Sequence, residues 1–359
     1  MNVCEVKSSE EIALFHRLVH VIYADDSTYI YSLEDDIEFI FDQTKNSAFQ
    51  YGDAKRWIIL DQGKNPIGRI AGFYSQERQG EERFGGFGFL EMKDELEISE
   101  MLLGLVADWL QENKVSRMIG PMSFGERDKF WGLLENGETS PSYLQNHHPT
   151  YYKTYLESFG FQRFKSQYSY QIDRAGFDAR RFTKIAKWIS RKPGFRFEAF
   201  DDKNPTKHIR DFIQVYNELW EGRARFHPID EEIVQRNLRA MEGFLQPEFI
   251  WFAYRQEKPI GVLVMFPDLN ELAQHIDGTP SSLNKMHFWY LRKFKTITKI
   301  RGLILGVLPS FRGFGITAVL IYKFYKAIEK SSFQKVEFTW ADGLNEQMAV
   351  LMKSVGAQQ

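Results

Sequence analysis

The chain has 359 residues, which is long for one hydrophobic core and sufficient for two, because domains commonly hold roughly 100 to 200 residues. With 43% hydrophobic residues, 26% charged residues and a formal net charge of -2, the composition is that of a globular protein and predicts no general attraction to nucleic acid. The only cysteine, Cys4, excludes an intrachain disulfide and a thiolate metal cluster. The amino-terminal sequence is unlike a signal peptide, and no apolar run reaches roughly 18 residues, so we expect a soluble cytoplasmic protein without a membrane span.

Two distant passages share a β-hairpin pattern. RWIILDQGKNPIGRIAGF at 56–73 and FIWFAYRQEKPIGVLVMF at 249–266 each join two apolar runs through a polar turn and Pro-Ile-Gly. Each is later followed by a short helical pattern that ends at a glycine, Gly160 in one case and Gly356 in the other. Because both matches have nearly the same offset, we interpret the chain as two copies of one α/β unit. The alternative is two unrelated hairpins.

The copies predict a first domain at 1–173, a linking helix at 174–193 and a second domain at 194–359. The first domain would end with the strand-like FQRFKSQYSYQID. The second domain has no counterpart of that segment after its last helix, so its sheet is expected to be short or completed by something else. The elements predicted in the second domain are strand 195–200, helices 206–220 and 230–243, hairpin 249–266, an irregular insert, strand 301–308, helix 315–330, strand 335–341 and helix 344–354. This order is typical of a mixed sheet with helices on both faces.

An arginine and two glycines lie between the apolar strand pattern RGLILGVLP and the helix that begins near Ile316. The amino end of a helix carries amides outside the hydrogen-bond ladder and a partial positive charge, and glycines at Gly313 and Gly315 let an anion approach them. Arg312 adds donors that suit phosphate oxygens. The motif therefore predicts a phosphate site. A tight turn that merely uses two glycines is the alternative.

These residues resemble a known family. VLPSFRGFGITAVLI (307–321) is similar to the coenzyme A pyrophosphate loop of the GNAT acyltransferase superfamily, whose slots fall on Arg312, Gly315 and Thr317. Thr317 departs from the usual glycine or alanine. VEFTWADGLNEQMAVLMKSVGA resembles the fifth strand and following helix of the family, with Asn345 at its usual asparagine. The resemblance implies an α/β (α+β) fold of two tandem GNAT-like domains, each a mixed, mostly antiparallel sheet flanked by helices.

The resemblance also implies an N-acyltransferase that takes acetyl-CoA or another acyl-CoA as co-substrate and uses no metal. An amine of a small molecule or peptide would attack the thioester directly, in a cleft where the fourth and fifth strands separate. The usual tyrosine general acid of the last helix is replaced by Met352, which cannot donate a proton. The implied coenzyme-binding residues are Gly306, Val307, Leu308, Arg312, Gly313, Phe314, Gly315, Ile316, Thr317 and Asn345.

In GNAT folds the segment between the first two helices lines the acceptor site, and here it reads NELWEGRARFHPID. Trp220, Arg225 and Phe226 are the acceptor-pocket candidates. Glu221 and His227 are the candidate catalytic bases, because burial can move either pKa towards neutrality. The alternative is that the aromatic residues belong to the core and the charged ones are solvated.

The first copy differs where the coenzyme turn should be. EMKDELEISEML (91–102) holds five acidic residues, one lysine and no glycine, which suits helix capping and repels a diphosphate. We therefore expect a degenerate domain that keeps the fold without the coenzyme loop. The adjacent His147 and His148 lie in a long irregular segment, and we interpret them as surface loop residues rather than metal ligands.

The segment KMHFWYLRKFKTITKIR (285–301) has six Lys or Arg residues, interleaved aromatics and no acid. It suggests a lipid, acyl-carrier or RNA surface, although an amphipathic helix with its basic face in water is the commoner explanation. Two other functions stay open. One is a non-catalytic acyl-CoA-binding or interaction protein, favoured by Met352 and Thr317. The other is a Fem-type aminoacyl transferase that uses charged tRNA, supported by 285–301 and opposed by the near-neutral charge.

Overall fold

A computed structural model describes residues 1–76, 83–125, 129–137, 140–221, 228–343 and 345–359. These residues form two compact units. Unit 1 comprises Met1–Phe164 and Leu272–Lys295, and unit 2 comprises Lys165–Glu271 and Thr296–Gln359. The described helices are α1 (Ser9–Ile22), α2 (Glu34–Phe41), α3 (Leu96–Glu112), α4 (Tyr151–Phe159), α5 (Arg180–Ile189), α6 (Pro205–Trp220), α7 (Glu231–Ala240), α8 (Asn270–Ala273), α9 (Ser282–Phe294), α10 (Ile316–Ile328) and α11 (Glu346–Val355).

Unit 1 contains a five-stranded sheet in the order β1-β2-β3-β4-β5. The pairs are antiparallel except for β4 with β5, which is parallel. Helix α3 packs along this sheet through Ile98, Leu102 and Val106, which recur at helical spacing and are fully buried. The strands are β1 (Asn2–Glu5), β2 (Gly52–Leu60), β3 (Pro66–Ser75), β4 (Phe84–Met92) and β5 (Met118–Ile119).

Unit 2 contains a six-stranded sheet in the order β6-β11-β10-β9-β8-β7. Only β10 and β11 are parallel, and all other neighbours are antiparallel. The predicted fold class, two mixed and mostly antiparallel sheets flanked by helices, is thereby confirmed. The strands are β6 (Gln167–Asp173), β7 (Phe195–Ala199), β8 (Ile250–Arg255), β9 (Lys258–Pro267), β10 (Lys299–Val307) and β11 (Lys335–Asp342).

Helix α10 is the central helix of the unit 2 core. Its buried residues include Ile316, Val319 and Phe324, which fall on the apolar face seen in the sequence. Helix α5 packs against α10 through Ala186 and Ile189, both almost fully buried. The predicted linking helix is therefore an integral part of the core of unit 2.

Strand β6 lies at the edge of the second sheet. It pairs antiparallel with β11, from Asp173 opposite Lys335 to Gln167 opposite Asp342. The predicted first domain, 1–173, includes this strand, whereas the compact units divide at 164. The segment that completes the sheet of unit 2 beside β11 is therefore β6, which precedes the rest of the unit in the chain. Gln171 of β6 also exchanges backbone hydrogen bonds with Gln358, at 2.7 and 2.8 Å.

The predicted irregular insert also differs from expectation. Its residues 272–295 belong to unit 1 and contain α9. The amide of Glu34 donates to the carbonyl of Gly278 at 3.0 Å. Gly278 has φ +81, and a Cβ there would lie 2.4 Å from the Ser32 carbonyl oxygen, so only glycine allows this close approach. The insert is thus tied to unit 1 by backbone contacts that sequence periodicity does not reveal.

Candidate functional site

The parallel strands β10 and β11 separate part-way along the second sheet. They are paired from Lys299 opposite Lys335 to Gly302 opposite Phe338. Beyond that point β10 continues with β9, and β11 continues with β6. Both strands change register at the split, β10 between Gly302 and Ile304 and β11 after Phe338. Because bulges bend and twist a strand, they open a wedge between the two.

The end of β10 turns one peptide edge, that of Val307, towards this wedge. Leu308 donates its N–H to the carbonyl of Ile260 in β9 at 2.9 Å. Successive residues of a strand direct their peptide groups to opposite sides, so Val307 turns its N–H and C=O away from β9. The Nε of Arg312 donates to the Val307 carbonyl at 3.3 Å. The polar edge of Val307 and the guanidinium therefore lie side by side.

The turn after β10 leads directly into the amino end of α10. Gly313 and Gly315 have φ +82 and +83, a region that favours glycine strongly over other residues. The first bond of the helical ladder runs from Val319 N–H to the Gly315 carbonyl at 3.2 Å. The amides of Ile316, Thr317 and Ala318 therefore precede the ladder and are free of its constraints. The turn therefore lies at three amides without helical hydrogen-bond partners and at the positive end of the helix dipole.

The two glycines serve different purposes. A Cβ at Gly313 would meet nothing within 4 Å, whereas one at Gly315 would lie 2.9 Å from Ile185 and 3.1 Å from Ile189 of α5. Gly315 therefore lets α5 pack against the helix start, and Gly313 leaves the outer side of the turn open. Arg312 is exposed and Phe314 is 54% exposed. These features fit a diphosphate, which needs an uncapped helix start, a nearby cation and room for its oxygens.

Helix α6 reaches β10 next to the wedge. A Cβ at Gly306 would lie 2.3 Å from Cδ1 of Leu219, so the glycine permits this contact. The following residue, Trp220, stacks on Tyr216 with ring centroids 5.0 Å apart. Glu221 is exposed at the carboxyl end of the helix. The other predicted acceptor-side residues, Arg225, Phe226 and His227, lie outside the described residues.

On the far side of the wedge, Asn345 and Met352 have structural contacts. The side chain of Asn345 accepts a hydrogen bond from Met348 N–H at 3.1 Å and so caps α11. Met352 is fully buried in the hydrophobic core of unit 2. The residue at which the sequence resemblance implies a missing tyrosine is thus part of the hydrophobic core.

A buried ionic cluster that no sequence motif indicated holds β10 and β11 together before the split. The Lys299 ammonium lies 2.5 Å from Glu337 and 3.2 Å from Asp268. Gln171 of β6 also donates to Glu337 at 2.9 Å. Burial alone would lower the pKa of Lys299, but the two carboxylates outweigh it and raise the pKa. Charged residues inside otherwise apolar strands were the available sequence signal for this cluster.

The equivalent place in unit 1 is occupied by its own side chains. The hairpin glycine Gly68 faces Met92 across β3 and β4, as Gly261 faces Val307 across β9 and β10. The Met92 N–H donates to the Tyr152 hydroxyl at 2.8 Å. The Tyr151 hydroxyl donates to the Met92 carbonyl at 2.7 Å. Both polar groups of this peptide edge are therefore satisfied from within unit 1.

An acidic residue reinforces this closed arrangement. Tyr23 and Tyr152 donate to the carboxylate of Glu91 at 2.6 and 2.9 Å. Burial raises the pKa of Glu91, although Arg69 and the two hydroxyls oppose the shift. Helix α3 then begins after Glu95, with Glu97 in its first turn and no glycine. A carboxylate-rich helix start of this kind disfavours a diphosphate.

The two adjacent histidines of unit 1 are not surface loop residues. His148 is buried, accepts a hydrogen bond from Leu134 N–H at 3.2 Å and has its pKa lowered by burial to about 3. His147 lies 2.7 Å from a carboxylate oxygen of Asp26. Within the described ranges, no group of three or more His, Cys, Asp or Glu side chains has a geometry that suits a metal ion.

The sequence is distantly similar to two known bacterial proteins. No family model matches the sequence. The chain is 20% identical to a bacterial ceramide synthase of Caulobacter vibrioides, over 99% of this chain and 94% of that protein. It is 19% identical to Protein YghO of Escherichia coli, over 88% of this chain and 82% of that protein.

A solved structure described as a tandem GNAT protein from the clavulanic acid biosynthesis pathway matches the fold with a TM-score of 0.56. The identity is 10%, and the match covers 99% of this chain and 94% of that one. The strand order, the split between β10 and β11 and this likeness agree with the resemblance seen in the sequence. The chain therefore has the tandem GNAT fold and is a distant relative of a bacterial ceramide synthase.

Proposed function

We propose that unit 2 is an acyl-CoA-dependent N-acyltransferase that moves an acyl group to a primary amine. The observation that carries the proposal is the pairing of an uncapped, glycine-lined helix start with the peptide edge of Val307, which turns away from β9. Diphosphate and pantetheine recognition need these two features at adjoining positions. We further propose that unit 1 does not bind coenzyme, since its own tyrosines take up the matching peptide edge.

Each part of the site has a distinct task in this proposal. Arg312 and the amides of residues 316–318 hold the diphosphate. The edge of Val307 orients the pantetheine arm, and its N–H polarises the carbonyl to be attacked. The co-substrate supplies the acyl group as a thioester. The amine nitrogen forms a bond to the carbonyl carbon, the carbon–sulfur bond breaks, the thiolate leaves, and the amine proton passes to a base or to water.

The distant relationship suggests which substrates to test first. A ceramide is a fatty amide of a long-chain amino alcohol, so long-chain acyl-CoA and a long-chain primary amine belong beside acetyl-CoA and small amines. Leu219 and the stacked Tyr216–Trp220 pair offer an apolar wall beside β10. Trp220, Arg225 and Phe226 are proposed acceptor-pocket residues, and Glu221 and His227 are proposed bases.

Calorimetric titration with coenzyme A tests the binding step. Arg312→Ala removes a charged partner of the diphosphate, so the affinity should fall about tenfold to hundredfold. The matched control is Arg180→Ala, which removes an exposed guanidinium of α5 that pairs with Asp178. Equal coenzyme A affinities for wild type and Arg312→Ala would refute the proposed diphosphate-binding site.

One observation favours a second candidate, a non-catalytic acyl-CoA-binding protein. Met352 is fully buried, so α11 supplies no proton donor at the position where the family has its tyrosine. Release of free thiol from acetyl-CoA and from a long-chain acyl-CoA, measured over a panel of amines, separates the two candidates. Binding without amine-dependent release for every pair would favour the non-catalytic protein.

A further inference from the structure

Helix α9 keeps a row of large apolar side chains in water. Five of its large hydrophobic residues are more than half exposed, and they make up a third of the fifteen exposed large hydrophobic residues in the described chain. Four of the five follow one another at intervals of three or four residues and so form one stripe along the helix. We call this row the apolar stripe: Leu283 at 73%, Met286 at 63%, Tyr290 at 54% and Phe294 at 63% exposed.

The stripe is not the packing face of a loosely placed helix. Asn284, Phe288 and Leu291 lie on another side of α9 and are partly buried. Asn284 Nδ2 donates to the Thr279 hydroxyl at 2.8 Å and to the Thr279 carbonyl at 3.1 Å, and Ser281 caps the helix start. The orientation of α9 is thus set by its own anchored face. The apolar stripe lies on a different side of the helix from these partly buried residues and faces solvent.

Positive charge lies beside the carboxyl-terminal part of the stripe, whereas near its start Lys285 pairs with Asp35 at 3.3 Å. No acidic residue occurs between Asp277 and Glu329. Lys293 lies over the rings of Trp289 and Phe294, 5.3 and 5.5 Å from their centroids. Trp289 is itself 58% exposed beside the stripe. Lysine stems along aromatic rings, with the ammonium able to reach outward, are the arrangement that lipid headgroups accept.

We propose that α9 docks unit 1 on the surface of a membrane that contains anionic phospholipids. The apolar stripe would enter the boundary between headgroups and acyl chains, and the basic side chains would meet the phosphates. RNA would stack on the aromatic rings and pair with the cations, but it would offer no apolar partner for the aliphatic side chains of Leu283 and Met286. Among the described helices none is long and apolar enough to cross a bilayer, so this would be surface binding.

Vesicle flotation tests the proposal with the full chain. Wild type should float with vesicles of equal parts phosphatidylcholine and phosphatidylglycerol and should bind pure phosphatidylcholine more weakly. Met286→Ser combined with Tyr290→Ser should weaken partitioning about tenfold or more. Lys293→Glu should weaken it about fivefold or more, with a smaller dependence on salt. The control is Phe164→Ser, which removes a 74% exposed ring outside α9 and should change nothing.

A second measurement detects insertion of α9 into the membrane directly, without a variant that binds less. Trp289 fluorescence should be quenched by brominated phospholipids, and this part of the quenching should be absent in Trp289→Phe. No flotation of wild type, or equal losses in the control and in the stripe variants, would overturn the proposal. So would a wild-type dimer that becomes monomeric in Met286→Ser/Tyr290→Ser without any vesicle binding, because a second copy would then cover the stripe. None of these outcomes depends on transferase activity, since no coenzyme is present.

Discussion

Units 1 and 2 differ most at the end of the strand that follows their Pro-Ile-Gly hairpins. In unit 2 the edge of Val307 faces an opened wedge and a glycine-lined helix start. In unit 1 the equivalent edge of Met92 is bonded to Tyr151 and Tyr152, and the next helix begins with acidic residues. The same fold thus gives the proposed coenzyme site in unit 2 and a closed core in unit 1, according to which groups satisfy one peptide edge.

The largest effect should come from changing the helix start of unit 2. Gly313→Glu places a carboxylate at the proposed diphosphate seat and a side chain at φ +82, so coenzyme A affinity should fall about hundredfold or more. Titration calorimetry measures the loss. Gly160→Glu is the matched control, because Gly160 also has positive φ and a Cβ added there would meet no heavy atom within 4 Å. If both variants bind coenzyme A equally well, the amino end of α10 is not the diphosphate-binding site.

Transplanting the closed arrangement into unit 2 tests whether the peptide edge alone separates the two units. Gly160 and Gly356 end α4 and α11, so Tyr152 corresponds to Met348. Met348→Tyr should bring a hydroxyl to the peptide edge of Val307. Because the hydroxyl would take the neutral hydrogen bonds proposed for pantetheine and the ring would fill its space, acyl-CoA affinity should fall about tenfold. Binding of 3′-phospho-ADP, which lacks the pantetheine arm, should be unchanged. An equal loss for both ligands would contradict the assignment of this edge to pantetheine.

Removing the tyrosine hydroxyl from unit 1 should destabilise that unit without creating a site. Tyr152→Phe leaves the buried Met92 N–H without its acceptor and removes one of the two hydroxyl donors to the same oxygen of Glu91. The free energy of unfolding should therefore fall by about 1–3 kcal/mol. Denaturant titration measures the change. Tyr155→Phe removes a hydroxyl bond of the same helix to exposed Asp94 and should cost little. A gain of a second coenzyme site in Tyr152→Phe would show that the tyrosine alone closes unit 1.

The smallest expected effect concerns acid stability of unit 1. Burial tends to raise the pKa of Glu38, but hydrogen bonds from His16 and Arg56 outweigh it and lower the pKa from 4.5 to about 2. The carboxylate therefore stabilises the folded state above pH 4.5, and this contribution is lost as the pH falls towards 2. Thermal melts should show Glu38→Gln less stable than wild type near neutrality, with the difference shrinking across that interval. A difference that is constant with pH would exclude the ionic contribution.

Local patterns predicted much of unit 2. The hairpin, the strand before the glycine turn and the amphipathic α10 each follow from periodicity within one segment. The placement of β6 and of residues 272–295 depended instead on which sheet edge or surface they meet, and periodicity does not report that. The same limit applies to Tyr151, Tyr152 and His148, whose contacts join residues far apart in the chain. Arg225, Phe226 and His227 stay predictions outside the described residues.

Amide hydrogen exchange with and without a saturating acyl-CoA can locate the coenzyme in the wild-type chain without any substitution. We predict new protection at Val307 and at residues 313–318, and no change at Met92 or at the start of α3. Protection at Met92 equal to that at Val307, or no protection in either unit while calorimetry records binding, would contradict the assignment of the coenzyme site to unit 2.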